Sequence, residues 1–401
     1  MTLKNSLKKL LAVAAVSSLT AGAFAGDYGK AVIDDKMPIE ADPWHFCDIF
    51  DYSTLYEGDG FIREVALKGR YHGQWIDQGI EQGNAQFGDR GWQQRRFRVG
   101  YGIEFAGGWE LSHTFNVRNY PNNPGTQGFF EDIEELVLEW EGDNIGLALG
   151  KFKPNITREY ATSSKRIKTI ERSQITNEVT ADKIWGGAVS FDAAGLSHKV
   201  GVFSNMYTDN WEWPRADGGV MVTYQTSYEI SDSTELFFDY QYNDVTAQVV
   251  ADAAANNSDD GGSAYEHVFA IGTENDFGRL GVVTDVIFGF DKGDNLNGMP
   301  VGDDTWGFVF LPYYSVTDKL EAVFKYAYMA DGEVQRVQDR LNGGFGSPGL
   351  DSVHTVYLGL NYYICGDKLK VMFGHEWLSA EDFADQDVDG SSWMMGIRTY
   401  W

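Results

Sequence analysis

Sixteen segments alternate in polarity, the connections between them are alternately short and long, and the chain ends on Trp401. Together these predict an all-β fold, a sixteen-stranded antiparallel transmembrane β-barrel with short periplasmic turns and long outer loops. Composition agrees. Mean hydropathy is −0.33, and beyond the N-terminus no apolar run approaches the roughly 20 residues a spanning helix needs. Barrel strands alternate, so their mean hydropathy resembles that of a soluble chain. The net charge of −27 over 401 residues argues against a nucleic-acid partner, whose phosphates such a chain would repel.

The first element is residues 1–25. Lys4, Lys8 and Lys9 precede an apolar stretch from Leu10 to Ala23, and Ala23-Phe24-Ala25 has the small-x-small form of a cleavage site. This reads as a secretory signal peptide, with a mature chain starting at Gly26. Its removal takes three lysines and no acids, moving the charge from −27 to −30. Residues 26–60 do not alternate and carry Pro38, Pro43, Trp44 and Cys47, so they read as a periplasmic extension before the barrel of residues 61–401.

Strands follow near 61–76, 90–105, 108–119, 130–140, 144–153, 183–192, 195–206 and 217–229, then 233–243, 264–275, 278–290, 305–316, 318–330, 352–364, 367–378 and 391–401. Arg96 to Phe105 shows the period of two most clearly. Phe97, Val99, Tyr101, Ile103 and Phe105 share one face, and Arg96, Arg98, Gly100, Gly102 and Glu104 the other. Even-numbered connections are tight, as at Ala106-Gly107 and Glu141-Gly142-Asp143, whereas odd-numbered ones such as 77–89, 154–182, 244–263 and 379–390 are long. Trp75, Trp92, Trp109, Trp140, Trp306, Trp377 and Trp393 lie near strand ends, where an amphipathic ring gains at a headgroup layer. The acidic excess is expected on outer loops such as 254–262 and 379–390.

The connection after Lys151-Phe152-Lys153-Pro154 carries most of the chemistry. Lys151, Lys153, Arg158, Lys165, Arg166, Lys168 and Arg172 face only Glu159 and Glu171, a local excess of +5 in an acidic chain. Residues 154–182 are therefore expected to fold into the lumen as a constriction loop whose Lys153, Arg158, Lys165, Arg166, Lys168 and Arg172 attract anions. Pairing of these cations with acidic neighbours or lipopolysaccharide is the alternative. Strand parity, with apolar residues facing lipid, turns Lys68 and Arg70 inward on the first strand, Arg96 and Arg98 on the second, Arg118 on the third and Arg398 on the last. In a closed barrel the last strand adjoins the first, so these form one basic wall. Arginine suits it, presenting a planar fork of donors to phosphate or carboxylate. Glu64, Glu104 and Glu110 share the wall and could neutralise it.

Several motifs together resemble the phosphate-selective porin O and P family over roughly residues 60–205. They are Gly150-Lys151-Phe152-Lys153-Pro154, Thr162-Ser163-Ser164, Ile170-Glu171-Arg172-Ser173 with Gly186-Gly187, and upstream Gln94-Arg95-Arg96-Phe97-Arg98-Val99-Gly100 with Gly108-Trp109-Glu110. The resemblance implies a homotrimeric outer-membrane porin whose lumen arginines and constriction-loop lysines guide small anions. The acidic chain keeps two alternatives open: a general or cation-tolerant porin, and a structural or adhesive barrel with acidic outer loops.

No enzyme and no cofactor are expected, since the seven His lack HExxH spacing and neither a GxSxG elbow nor a Walker loop occurs. Asp385-Gln386-Asp387-Val388-Asp389-Gly390 opens like an EF-hand loop, but its twelfth position is Gly396 rather than Glu, so no metal site is assigned. The topology puts Cys47, in the extension, and Cys365, in the turn between the fourteenth and fifteenth strands, at the periplasmic end, where a disulfide is expected.

Overall fold

The computed structural model describes residues 46–117, 129–204, 220–244, 265–290, 304–330, 350–382 and 386–401. The signal peptide, Arg118 and the acidic stretch 254–262 lie outside the described residues. A 3-10 helix (Phe46–Ser53) and a short strand β1 (Thr54–Glu57) come first. The barrel begins with β2 (Ile62–Gln82), β3 (Ala85–Phe105), β4 (Trp109–Val117), β5 (Phe130–Glu141), β6 (Ile145–Phe152), β7 (Ile184–Ala193), β8 (Leu196–Ser204) and β9 (Val220–Ser231). It continues with β10 (Thr234–Asn243), β11 (His267–Phe277), β12 (Leu280–Phe290), β13 (Thr305–Ser315), β14 (Leu320–Ala330), β15 (Leu350–Tyr363), β16 (Leu369–Asp382) and β17 (Asp387–Tyr400).

Strands β2 to β17 pair antiparallel with their chain neighbours, and β17 pairs back onto β2 from Val388↔Gln82 to Tyr400↔Arg70, closing a sixteen-stranded barrel. Each expected strand corresponds to one of these. The closing seam extends one residue further: Gly69 N–H donates to the Trp401 carbonyl at 3.0 Å and Trp401 N–H to the Gly69 carbonyl at 3.1 Å. A Cβ on Gly69 would sit 2.1 Å from the Trp401 ring, so the terminal indole packs flat over a position that admits no side chain.

Alternation sets the two faces. Along β12, Gly281, Val283, Asp285, Ile287 and Gly289 are buried toward the interior, while Leu280, Phe288 and Phe290 are exposed outward. Leu138, Leu147, Leu149, Val200, Val202, Leu358, Leu360 and Phe373 continue the exposed apolar band around the ring, as a lipid-facing surface requires.

Three differences from the sequence reading have physical causes. The connection 77–89 is not a long loop. β2 and β3 continue to a turn at Gly83-Asn84, with Ile80 opposite Phe87, because Gly83 at φ +55° reverses the chain within two residues. Likewise 379–390 is mostly strand, since β16 runs to Asp382 and β17 starts at Asp387; Gln82 and Asp382 bond at 2.8 Å across the paired hairpins. Its polar, Gly-containing sequence resembled a loop, yet Val388 and Ala380 keep the period of two and join Ile80, Val353 and Leu350 in a buried cluster. Finally, β1 was not foreseen. It pairs with Glu64, Val65 and Ala66 of β2, below the point where β17 ends, and so covers an edge that the stagger of the barrel would leave unpaired.

Cys47 and Cys365 form a disulfide with Cα atoms 5.4 Å apart, tying the 3-10 helix to the β15–β16 turn.

The seam makes a specific demand at one residue. Gly69→Val should displace the Trp401 ring and destabilise the barrel by about 1–3 kcal/mol. A fall in the temperature at which the heat-modifiable band converts to the unfolded mobility, with Gly79→Val as the control that meets no neighbour, checks this.

Candidate functional site

Between β6 and β7 the chain leaves the wall and crosses the interior. Two short helices form within this loop, α1 (Arg158–Ala161) and α2 (Gln174–Val179). Apolar contact seats it. Ile156, Ile175 and Val179 pack with Val268, Ala270, Ile287, Val309, Ala327 and Met329, and Ile170 packs with Ile76, Val283, Leu311, Val323, Tyr357, Met372 and Met394. The inward faces of β11 to β14 and of β16 are therefore apolar where the loop rests, which corrects the reading that apolar residues mark lipid alone. The fit is close at Gly307, where a Cβ would approach Ile175 Cγ1 to 2.6 Å.

Buried polar contacts fix the loop's register. Asp285 accepts the Arg158 and Glu159 backbone N–H groups at 3.0 and 2.9 Å, meeting the orphan donors of α1. Glu159 accepts from Ser173 N–H at 3.0 and 3.1 Å, from the Ser173 hydroxyl at 2.5 Å and from Lys325 Nζ at 3.2 Å. Lys325 also donates to the Glu171 carbonyl at 2.9 Å, and both side chains of the Lys325–Glu159 pair are at most 4% exposed. Further along, Asn361 donates to the Lys168 carbonyl at 2.8 Å and Lys370 to the Ile167 carbonyl at 3.1 Å.

The expected site residues separate into two groups. Lys168 and Arg158 are anchors. Lys168 donates to Glu321 at 2.8 Å and to the Tyr363 hydroxyl at 3.3 Å, and its ammonium lies 4.4 Å from the Tyr313 ring centre. Burial would lower its pKa, but Tyr363, Glu321 and Tyr313 outweigh that and hold it above the ordinary lysine value. Arg158 pairs with Glu274 at 2.5 Å and covers the Phe237 ring at 4.3 Å. Lys165 lies 4.9 Å from the Tyr400 ring centre, and Arg166 is exposed.

The second group gathers at β2, β3 and β17. Arg70 donates to Ser164 Oγ, and Arg398 donates from Nη2 to Gln74 Oε1 and to the Ile170 carbonyl, both at 2.8 Å. Arg172 donates to the carbonyls of Glu159 and Thr162 at 3.1 and 2.7 Å. Arg96 keeps a buried Nη1 with no partner, as do Arg70 Nε and Arg398 Nε and Nη1. Among the described residues, none of these four guanidinium groups is paired with a carboxylate. Lys153 donates to the Tyr160 carbonyl and sits 4.0 Å over its ring. Burial, and then Arg172 and Lys183, push Lys153 well below the ordinary lysine range, and burial lowers Arg172 as well.

Parity alone missed Arg95. His72 pairs with Arg96 but Gly73 with Gln94, so Arg95 is the extra residue of a β-bulge and faces inward beside Arg96. Its Nε meets Glu171 Oε1 at 3.1 Å, while Gln74 donates to the same oxygen at 2.7 Å. The consecutive Arg95-Arg96 was visible, but a bulge has no signature in one sequence.

On the adjoining strands β4 and β5 the wall is mixed. Lys68 donates to Glu110 at 2.6 Å and to Ser112 at 3.1 Å, and this inward pair keeps 30% and 35% of its side-chain exposure. Arg98 pairs with Glu134 at 2.8 Å, and Lys183 with Glu134 and Glu135 at 3.1 and 2.6 Å. So the neutral pairing weighed from the sequence occurs at Lys68 and Arg98 and not at the other wall arginines described.

A closed antiparallel barrel with a lipid-facing apolar band, a charged interior and an inserted loop defines a class, the outer-membrane channels. The chain belongs to one family of them: the model of the phosphate-selective porin O and P family matches residues 65–265. No curated protein matches the sequence. Among solved structures, the anion-selective porin from Comamonas acidovorans aligns with a TM-score of 0.56 at 11% identity, covering 84% of this chain and 99% of its own. The outer membrane channel DcaP of Acinetobacter baumannii gives 0.55 at 11% identity, covering 86% and 99%. OprB of Pseudomonas putida gives 0.55 at 13%, covering 84% and 94%. At these identities the likeness concerns the fold.

The buried Lys325–Glu159 pair should govern how firmly the loop sits. Lys325→Met leaves Glu159 charged and uncompensated, a cost of about 3–5 kcal/mol. Single-channel conductance should rise and become noisy as the loop leaves its seat, and adding Glu159→Gln should restore much of the wild-type trace. The pH sign follows from Glu159. Burial would raise its carboxyl, but Lys325 and the Ser173 bonds hold it below the ordinary range. Its contribution is complete above the unfolded value near 4.3 and is lost as pH falls through the depressed one. Conductance differences between wild type and Glu159→Gln should therefore persist through neutrality and vanish only in acid.

Proposed function

We propose that the protein is a passive channel for small hydrophilic solutes that prefers anions, phosphate or similar, and that residues 154–182 form its constriction. The observation that carries this reading is the set of Arg70, Arg96, Arg172 and Arg398, guanidinium groups at the loop without a carboxylate bound to them. Guanidinium groups oriented by hydroxyl, amide and carbonyl oxygens keep their charge, and that charge acts on an anion at a distance. Selectivity is set by the field at the narrowest point rather than by the charge of the whole chain. The mature chain then begins at Gly26, after cleavage at Ala25–Gly26, with 26–60 as an extension on the periplasmic side of the barrel. Family resemblance supports a homotrimer, which native mass spectrometry of the detergent-extracted protein tests.

A general channel of weak preference is the second reading, favoured by Glu110, Glu134 and Glu135 on β4 and β5, the strands that adjoin the arginines. Reversal potentials in planar bilayers under a salt gradient separate the two. Under the anion reading wild type favours the anion, and Arg96→Gln with Arg172→Gln moves the potential toward the cation side. The shift should be larger at 0.1 M than at 1 M salt, since the screening length falls from about 10 Å to about 3 Å. A wild type without preference, or an unmoved potential in the double variant, supports the general channel instead.

A further inference from the structure

The strongest unexplained surface lies at the periplasmic rim. The 3-10 stretch Phe46–Ser53 is kinked at Tyr52, and Phe46, Ile49 and Tyr52 recur along it at every third residue, the length of one 3-10 turn. All three are exposed, at 51%, 52% and 71%. Leu55, Tyr56 and Phe61 are also exposed. Six large apolar side chains within sixteen residues would meet water if this segment hung in the periplasm.

Two tethers say where the segment runs. Cys47 is bonded to Cys365 in the turn between β15 and β16, and β1 pairs with the lower end of β2. Between those points on the ring lie only the lower ends of β16 and β17. The segment therefore follows the rim beneath the closing seam and does not cross the lumen mouth.

Register then gives β1 a face. Tyr56 stands opposite Val65, Val65 opposite Ile103, and Leu67 opposite Tyr101. Directly paired residues share a side of the sheet, so Tyr56 lies on the side of Leu67 and Tyr101, the outward one. Phe61 stacks against Phe105 at 5.3 Å, Phe105 pairs with Trp109, and Trp109 meets Trp140 at 6.2 Å. The exposed residues of the rim segment are thus continuous with the aromatic lower margin of the lipid-facing band.

We infer that residues 46–61 form an interfacial foot, with Phe46, Ile49, Tyr52, Leu55, Tyr56 and Phe61 seated in the periplasmic leaflet of the outer membrane. Aromatic and aliphatic side chains of a short helix lying in the interface plane favour the boundary between headgroups and acyl chains. Asp48, Glu57 and Asp59 lie within the same segment, which matches a leaflet of zwitterionic phospholipid rather than an anionic one. The disulfide supplies what so short a helix lacks, a fixed position on the rim.

The full-length protein in phosphatidylethanolamine/phosphatidylcholine vesicles tests this. Benzoylphenylalanine is placed at Tyr52, separately at Ile49, and as a control at Asn84 in the outer turn; irradiation is followed by mass spectrometry of the adducts. The foot predicts phospholipid adducts at Tyr52 and Ile49, well above the Asn84 level, and a several-fold lower yield after reduction of the disulfide. Adducts to residues 26–45 of the same chain, adducts to a second copy, or a yield no higher than at Asn84 each overturn it. A second variant, Ile49→Asp with Tyr52→Asp, should abolish lipid adducts from benzoylphenylalanine at Tyr56 while heat-modifiable mobility and conductance stay those of the parent. Undiminished lipid adducts at Tyr56 in that variant also overturn the proposal.

Discussion

A backbone amide in hydrocarbon has no water to bond, and that constraint organises the molecule from the seam outward. The ladder between β17 and β2 is the last to form in chain order, and it joins the final strand to the first across most of the sequence. Every feature around it serves closure. Trp401 exchanges two backbone bonds with Gly69 and lays its ring over it. Where β17 stops, β1 takes up the donors and acceptors of Glu64 to Ala66. The disulfide from Cys47 to Cys365 then fixes the chain just ahead of β1 to a turn two strands away. Closure also explains why the Trp and Leu residues outside need no partner of their own: lipid is their solvent.

Closing the ring creates an interior, and the loop solves the problem of filling it. A barrel of this size leaves space that water would occupy, yet β11 to β14 turn Val268, Ala270, Val283, Ile287, Val309, Val323 and Ala327 into it. Those residues are stable inside because Ile156, Ile170, Ile175 and Val179 cover them. Apolar contact is non-directional and cannot choose a register. The choice falls to the buried carboxylates, Asp285 at the start of α1 and Glu159 between Ser173 and Lys325, because each would be left uncompensated in any other seating.

How far the sequence was legible follows from the range of each signal. A strand's period of two is local, so Arg96 to Phe105 and its fifteen counterparts could be read one segment at a time. The hairpins at Gly83-Asn84 and Asp382–Asp387 were harder, because above the membrane the strands turn polar and the contrast between faces fades. The inward direction of Arg70, Arg98 and Arg398 followed from parity, whereas Arg95 did not, since one inserted residue resets the count. Least legible were the partners of the loop cations. Lys168 meets Glu321, which lies 153 positions away, and nothing in either neighbourhood announces the other.

The same distinction separates cations paired with carboxylates from cations held by neutral oxygens. A charge count of 151–172 gives +5 and treats all seven as equal. Geometry does not. Lys168 and Arg158 are each neutralised by a carboxylate and an aromatic face, so their fields are short-ranged and their work is mechanical. Arg172 is held instead by carbonyl oxygens, and Arg70 and Arg398 by Ser164, Gln74 and a carbonyl. A carbonyl or hydroxyl dipole orients a guanidinium without cancelling its charge. The loop thus gathers arginines at one stretch of wall, at β2, β3 and β17, in a chain whose net charge is −27. Glu171 stands at the same wall, bonded to Arg95 and Gln74, so the arginines and this carboxylate share one buried network.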